Sequence, residues 1–236
     1  MRPLRGAHRK GSTVSNGYVG YDGPSTIDGE PIMAIVTGVK NRSDNPKTSD
    51  MEQVWIMRSD IDPVTAARDG KDASVCGECW HRPVNAAEHG VAPCYVTLFQ
   101  APGRIYKTTY PTGSKTRGVP RRLGAYGEPA ALPYDVARTL AKGGDGNYTG
   151  YTHRWRTADQ RFRELCMASV DSPEEQAQAQ AMGWRTFRVR KATEPLLPGE
   201  ITCPASKEAG HRTTCNKCLL CAGTSKQAKN IAIIEH

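Results

Sequence analysis

RLGAYGEPAALPYDVARTLAK, residues 122–142, decides the fold of this chain, because a strand-like segment is followed directly by a helix that starts at a proline. The same alternation recurs downstream, where a second helix is predicted over residues 172–182. Short strands that alternate with helices favour parallel pairing with right-handed crossovers. The pattern therefore predicts an α/β fold in the form of a partial or irregular (βα) barrel, with an open three-layer sandwich as the alternative. The other strand-like segments are TGYTHRW (149–155), LCMASVD (165–171), WRTFRVR (184–190) and NIAIIEH (230–236).

Upstream of this repeat, three further apolar segments predict strands. Two β-branched runs, residues 32–37 and 53–57, enclose the turn-rich segment KNRSDNPKTSD and predict a hairpin or paired strands. A third run, YVTLFQ at residues 95–100, predicts a strand that begins directly after Cys94.

Two helix starts carry clear capping signals. Asp62 is a good cap for a short helix with Pro63 at its first position. Ser172 caps the downstream helix, Glu175 completes a capping box three residues later, and Gly183 ends the helix.

The chain carries a strong positive charge. Its 236 residues have a formal net charge of +8 and a sequence pI near 9.1, which favours nucleic acid, or a protein already bound to nucleic acid, as a partner. Residues 1–30 are rich in glycine and basic side chains and predict a flexible arm in front of a single α/β domain over residues 31–236. The candidate phosphate contacts are Arg2, Arg5, Arg9 and Lys10 in the arm and Arg104, Lys107, Lys115, Arg117, Arg121 and Arg122 in a second basic stretch, with solvated surface as the alternative.

The sequence shows neither a targeting segment nor a membrane span. Its N-terminal residues lack the apolar stretch of a signal peptide, and no window is apolar enough to cross a bilayer. We therefore predict a cytoplasmic protein that does not associate with membranes.

Seven of the eight cysteines fall into two groups: a first cysteine group, Cys76-x2-Cys79-x14-Cys94, and a late cysteine group, Cys203-x11-Cys215-x2-Cys218-x2-Cys221. Two thiolates separated by two residues can reach one metal ion or cluster across a tight turn. Disulfide-dense chains are usually short and secreted, so the loops 76–94 and 203–221 are predicted to bind metal, either a [4Fe-4S] cluster or Zn.

Three other residues bear on this metal prediction. His81 or His89, which lie between Cys79 and Cys94, could supply the fourth ligand that the first cysteine group lacks. Cys166 stands apart inside an apolar strand and predicts a buried core residue.

Polar side chains follow the ends of the predicted strands. Parallel strands deliver their carboxyl ends to one face, where functional groups gather. If the chain is an enzyme, Glu128, His153, Asp171 and Arg190 are the catalytic candidates, since a carboxylate, an imidazole and a guanidinium can move protons or bind an anion. The alternative is that Glu128 and Asp171 cap the helices that follow them and that the arginines pair with carboxylates. The full predicted rim is Tyr126, Glu128, His153, Arg154, Asp171, Arg188 and Arg190.

Several segments resemble a group of actinobacteriophage proteins: CGECWHRP, PCYVTLFQAPG, RLGAYGEPAALP, GYTHRWR, MASVDSPEEQAQAQAMGWRTFRVR and CPASKEAGHRTTCNKCLLC. The resemblance covers roughly residues 30–236, and the two cysteine segments are its most specific parts. More remotely, the cysteine pattern and the α/β repeats are similar to phage proteins of the gene-88 type and to radical-SAM enzymes. The spacing here departs from the usual radical-SAM triplet Cys-x3-Cys-x2-Cys, which argues against binding of S-adenosylmethionine.

The same group resembles the recombination directionality factors of large serine integrases. The resemblance implies a non-enzymatic protein that binds the integrase, on attachment-site DNA, and switches it from integration to excision. Direct DNA contact would be secondary, and the metal sites would be structural. The alternative function is an iron–sulfur, radical-SAM-like phage enzyme that uses an open iron of its cluster.

Overall fold

A nine-stranded sheet runs through the computed structural model, which describes residues 15–235 apart from 44, 47 and 49. Its strands lie in the order β1-β2-β3-β4-β5-β6-β7-β9-β8. The first three strands pair antiparallel, and every later pairing is parallel. The bounds are β1 Gly17–Pro24, β2 Pro31–Thr37, β3 Glu52–Arg58, β4 Arg121–Tyr126, β5 Tyr148–Thr152, β6 Met167–Val170, β7 Thr186–Arg190, β8 Glu200–Thr202 and β9 Asn230–Ile234.

The predicted α/β class and the mainly parallel pairing are confirmed. From β3 to β7 each strand lies beside the next strand in the chain, with no reversal of order. Parallel neighbours need crossover connections, and right-handed crossovers that always advance in one direction bring their helices to the same face of the sheet. All these strands therefore end at a common edge, the carboxyl edge, where the loops that follow them meet.

Seven short helices fill the connections in the described part of the chain. The bounds are α1 Pro63–Arg68, α2 Ala73–Cys76, α3 Pro83–His89, α4 Ala101–Lys107, α5 Tyr134–Lys142, α6 Pro173–Ala181 and α7 Cys215–Cys218, with 3-10 turns at Pro129–Ala131, Gln160–Glu164 and Gly223–Ser225. Among the residues that the structure describes, none of the helices has the length and apolar character to cross a membrane.

The two predicted caps are present. The Asp62 carboxylate accepts the N–H groups of Val64 and Thr65, each at 3.1 Å. Ser172 Oγ accepts the N–H of Glu175 at 3.2 Å. The reciprocal bond of the capping box is displaced by one residue, because the Glu175 carboxylate accepts the N–H of Asp171 instead of the cap.

The predicted flexible arm is wrong for residues 17–24, which form β1 and pair with β2. Tyr18 in this strand is only 4% exposed. The glycines that suggested flexibility allow close packing instead: a Cβ at Gly17 would collide with the Val36 carbonyl oxygen, and one at Gly20 would lie 2.6 Å from Leu140. The basic residues Arg2, Arg5, Arg9 and Lys10 lie outside the described residues.

The predicted strand at residues 95–100 is also wrong. This segment forms turns and leads into α4. Its two aromatic side chains point outward, with Tyr95 77% and Phe99 72% exposed, whereas Val96 and Leu98 pack against the hydrophobic core from turns and not from a strand. Pro102 near the start of α4 favours a helix start at this point.

Two buried ion pairs cross the sheet. Arg121 is 1% exposed and donates to Glu52 at 2.7 Å. Arg188 is fully buried and donates to both carboxylate oxygens of Glu200 at 2.9 Å. These placements correct two predictions, since Arg121 has no surface to offer to a phosphate and Arg188 leaves the predicted polar rim. Cys166 is fully buried, as its apolar strand predicts.

Candidate metal centres

The late cysteine group lies where β8 and β9 end the sheet. Cys203 directly follows β8, and Cys215 and Cys218 begin and end the single turn of α7. Leu219 then adopts a left-handed conformation with φ of 53°, which turns the chain so that Cys221 enters the interior. Three separate elements thus bring the four thiols to one end of the sheet.

The other three thiols of the late group influence the thiol of Cys221 electrostatically. Burial raises the pKa of Cys221 to about 12, and the neighbouring thiols of Cys203, Cys215 and Cys218 contribute to the rise. The Tyr151 hydroxyl donates a hydrogen bond to the Cys221 sulfur and opposes it. A bound cation would reverse this balance, because metal ligation stabilises thiolates.

The first cysteine group is built on a tight turn. Cys76 ends α2, and its carbonyl oxygen accepts the N–H of Cys79 at 3.3 Å. Gly77 between them has φ of 59°, a conformation that disfavours side chains. The N–H of Cys94 donates to the carbonyl oxygen of His81 at 2.7 Å, which returns the third thiol to the turn. Burial raises the pKa of Cys76 well above its usual value, and Asp72 and the thiols of Cys79 and Cys94 add to the effect.

The hydroxyl of Tyr126 faces this group. It is buried and lacks a hydrogen-bond partner of ordinary geometry among the described residues, and the Cys76 sulfur is its polar neighbour. Burial raises the pKa of Tyr126, so the phenol is a donor. A metal-bound thiolate at Cys76 would accept this orphaned donor better than a neutral thiol does, since hydrogen bonds to charged acceptors are stronger. The tyrosine therefore fits a metal at the first cysteine group.

Glu128 organises the neighbouring strand ends. Its carboxylate does not cap the turn that follows it. It accepts the Thr152 hydroxyl at 2.6 Å and the backbone N–H of His153 at 2.8 Å, and it lies 3.3 Å from His153 Nδ1. Glu128 and Thr152 are 6% and 0% exposed. The carboxylate therefore fixes the orientation of the His153 imidazole.

His153 is the histidine that lies against the first cysteine group. It forms a hydrogen bond with Cys79. Burial lowers the pKa of His153, but the bonds to Cys79 and Glu128 raise it by more, so that the pKa lies above its usual value. Its position at the carboxyl edge is predictable from the sequence, because His153 directly follows β5. Its contact with Cys79 is not visible in the sequence, because no spacing rule relates the two segments.

The two histidines predicted as fourth ligands are placed differently. His81 Nδ1 lies 2.7 Å from the Ala92 carbonyl oxygen, and the ring centroid is 6.1 Å from that of His153. The ring of His89 stacks on Trp80 with centroids 4.8 Å apart. His81 is thus directed towards the strand ends, whereas His89 lies on the outer surface of α3.

A polar cavity of about 110 Å³ opens beside these groups. Asp171, directly after β6, lies on its wall. The carboxylate of Asp171 is not the cap of α6, since Ser172 has that role. Burial raises the pKa of Asp171, and the nearby imidazoles of His153 and His81 oppose the rise. The cavity is lined by Glu78, Cys79, Trp80, His153, Arg154, Trp155, Arg156, Thr157, Ser169, Asp171 and Glu175.

Arg190, the remaining catalytic candidate, is held away from this cavity. Its guanidinium donates to the carbonyl oxygens of Glu194 at 2.6 Å and Lys191 at 3.3 Å. The structure therefore brings together Glu128, His153 and Asp171 but not Arg190.

Some side chains of the second basic stretch are exposed, and others form hydrogen bonds within the protein. Arg117 donates to Asp50 at 3.1 Å. Arg122 donates to the Tyr95 hydroxyl at 2.7 Å and lies close enough to Cys215 to interact with it, so it lies between the two cysteine groups. The exposed members are Arg104, Lys107 and Lys115.

Comparisons of this chain with protein-family models, with curated proteins and with solved structures find no match.

Proposed function

We propose that this protein is a metal-stapled α/β scaffold whose surface binds a protein partner, and that the late cysteine group holds a structural zinc ion. The observation that carries the metal proposal is the small size of the hydrophobic core around the late cysteine group. The cluster there has three buried members, Met167, Cys221 and Ile231. Small cores commonly rely on a metal or another cross-link, because they bury too little apolar surface. A four-thiolate site would tie β8, α7 and β9 together at this end of the sheet.

The unreversed strand order from β3 to β7 supports the finer proposal that the sheet curves into a partial (βα) barrel with metal-binding loops at 76–94 and 203–221. Connections that advance in one direction bring their helices to one face, as in barrels. Both loops follow elements of the sheet or its crossovers, where metal ligands can be added without changing the core.

For the partner, we propose a large serine integrase on attachment-site DNA, with the protein acting as its recombination directionality factor. This rests on the resemblance to actinophage factors, on the net charge of +8, and on four exposed apolar side chains that lie near Cys79 and Cys94 in sequence. Trp80, Val84, Tyr95 and Phe99 are between 44% and 77% exposed, and they flank Cys79 and Cys94 in sequence. Exposed large apolar groups close together are typical of protein interfaces. Binding needs only to favour one arrangement of the integrase over another to redirect recombination.

The metal proposal is tested by metal analysis and unfolding. Protein purified without oxygen should be colourless and contain zinc. Cys215→Ser combined with Cys218→Ser should remove one metal per chain and lower the unfolding temperature sharply, because the free energy of metal binding in such sites is also folding free energy. Asn216→Ser, in the same turn of α7, is the matched control and should retain the metal. Unchanged metal content and unfolding in the double variant would refute the late site.

The partner proposal is tested by direct binding. Mass photometry with the cognate integrase, with and without attachment-site DNA, should show a complex. Tyr95→Ala with Phe99→Ala should weaken it, whereas Leu196→Ala, at an exposed apolar residue elsewhere, should not. Absence of any complex with the wild-type protein would eliminate the directionality role and leave the metal scaffold untouched.

A second candidate is an iron–sulfur enzyme at the first cysteine group. The polar cavity beside Cys79 favours it, because three thiolates leave one position of a cluster open. Brown protein with about four irons per cluster would support this candidate and contradict structural zinc at that group.

A further inference from the structure

We propose that His81, His153 and Asp171 bind a divalent cation of the first transition-metal row, such as Zn²⁺ or Fe²⁺, at the carboxyl edge of the sheet. The ligand atoms of these three side chains all lie within 4.8 Å of one another. Metal–nitrogen and metal–oxygen bonds are about 2.0–2.2 Å long, so small rotamer changes bring the three atoms onto one ion. None of these three ligands belongs to the cysteine groups for which metals are proposed above.

Both imidazoles are oriented as metal ligands usually are. His81 Nδ1 lies 2.7 Å from the Ala92 carbonyl oxygen, and His153 Nδ1 lies 3.3 Å from the Glu128 carboxylate. Each Nδ1–H therefore has an acceptor. This leaves the Nε2 lone pair of His81 for a cation, whereas the imidazole of His153 would exchange its hydrogen bond with Cys79 for the cation. Metal-binding histidines almost always donate their other N–H to a carboxylate or a carbonyl in this way.

Asp171 supplies the negative charge. Among the described residues no hydrogen bond or ion pair joins its carboxylate to either imidazole, although both rings influence it electrostatically. Since the cap of α6 is Ser172, this half-buried carboxylate does not serve as the helix cap, the structural role that its place directly before α6 suggests. A cation between the three groups would give it a partner.

Two imidazoles and one carboxylate leave several coordination positions open, as in non-haem iron and catalytic zinc sites. His153 and Asp171 line the cavity of about 110 Å³, which corresponds to roughly three or four waters at about 30 Å³ each. The site therefore has room for water or a small oxygen-containing ligand on the metal.

His153 also contacts Cys79, so substitution of His153 cannot distinguish the proposed site from the first cysteine group. The informative variants are His81→Ala and Asp171→Asn. Their matched controls are His89→Ala, whose ring stacks on Trp80, and Asp22→Asn, which is exposed on β1. Circular dichroism establishes that each variant is folded.

The test is a Co²⁺ titration of protein that retains its cysteine-bound metals, followed by optical spectroscopy and equilibrium dialysis. The wild type and both controls should bind one additional Co²⁺ without a new thiolate-to-cobalt charge-transfer band. His81→Ala and Asp171→Asn should each weaken this binding by more than the roughly 10- to 100-fold that loss of a supporting partner costs, and Glu128→Gln should fall within that range.

Three results would overturn the proposal: no additional Co²⁺ in the wild type, unchanged affinity in His81→Ala and Asp171→Asn, or a thiolate band from the added ion. Release of cysteine-bound metal by His81→Ala would also overturn it, because His81 would then be a ligand of the first cysteine group. None of these results bears on the late cysteine group.

Discussion

Glu128→Ala is expected to destabilise the protein strongly, because this buried carboxylate accepts three hydrogen bonds at the junction of two strand ends. The donors are the Thr152 hydroxyl at 2.6 Å, the His153 backbone N–H at 2.8 Å and His153 Nδ1 at 3.3 Å. Hydrogen bonds to charged groups contribute about 1.5–3 kcal/mol each, and a buried donor left without an acceptor costs about 1–3 kcal/mol. Counting the two short bonds, we expect a loss of about 3–6 kcal/mol.

In a chain of this length, 1 kcal/mol corresponds to roughly 2–4 °C in the unfolding midpoint, so the midpoint should fall by roughly 6–24 °C. Glu128→Gln keeps one carbonyl oxygen for the His153 N–H and should lose only about 1–2 kcal/mol. Glu88→Ala, at an exposed position of α3, serves as the control and should stay within about 0.5 kcal/mol of the wild type. Denaturant unfolding followed by circular dichroism measures all three. If Glu128→Ala unfolds within about 0.5 kcal/mol of the wild type, the carboxylate does not organise the strand ends.

Three further outcomes are expected. Arg188→Met should cost about 3–5 kcal/mol in denaturant unfolding, because it leaves the Glu200 carboxylate buried without its cation; a neutral effect would show that Glu200 is protonated or hydrated. Asp62→Ala should cost about 1 kcal/mol at pH 7. Hydrogen bonds from Thr65 lower the pKa of Asp62, so the full contribution of the carboxylate to stability is present above its unfolded pKa of about 3.9. The difference from Asp62→Ala should shrink below that pH and vanish as the pH falls through the lowered pKa of the folded state; a constant difference would contradict the charged cap. Gly127→Ala should lower the yield of folded protein, because φ is 79° and a Cβ would overlap the Ile56 carbonyl oxygen; unchanged solubility and unfolding would be inconsistent with this close approach.

The sequence predicts those parts of the fold that depend on local chemistry. The alternation of strands and helices after residue 121, the caps at Asp62 and Ser172, and the paired strands β2 and β3 all follow from neighbouring residues. Prediction from the sequence fails where tertiary packing, and not the local pattern, determines the structure. The glycines of β1 suggest flexibility until Val36 and Leu140 are seen against them, and the apolar run at 95–100 suggests a strand although its aromatic rings face outward.

The candidate site is predictable in composition but not in arrangement. Strand ends place Glu128, His153 and Asp171 on one rim, as parallel pairing requires. No sequence pattern relates these three residues to His81, which lies in the turn between α2 and α3. The same limit explains Arg121 and Arg188, since a guanidinium in a basic stretch is indistinguishable in sequence from one that crosses the core to a carboxylate.

β5 is the strand that links the two candidate metal regions. Successive side chains of a strand point to opposite faces, and here Tyr151 reaches Cys221 of the late group while Thr152 reaches Glu128. Loss of a metal bound at the late group would remove the thiolate that accepts the Tyr151 hydroxyl, whereas Glu128→Gln changes only the opposite face. If β5 transmits strain, Cys215→Ser with Cys218→Ser will weaken cobalt binding at His81 and Asp171; if the two faces are independent, it will lower stability alone. Because β5 is hydrogen-bonded to strands on both sides and its Gly150 N–H is held by the Cys221 carbonyl oxygen at 2.8 Å, we expect the first outcome.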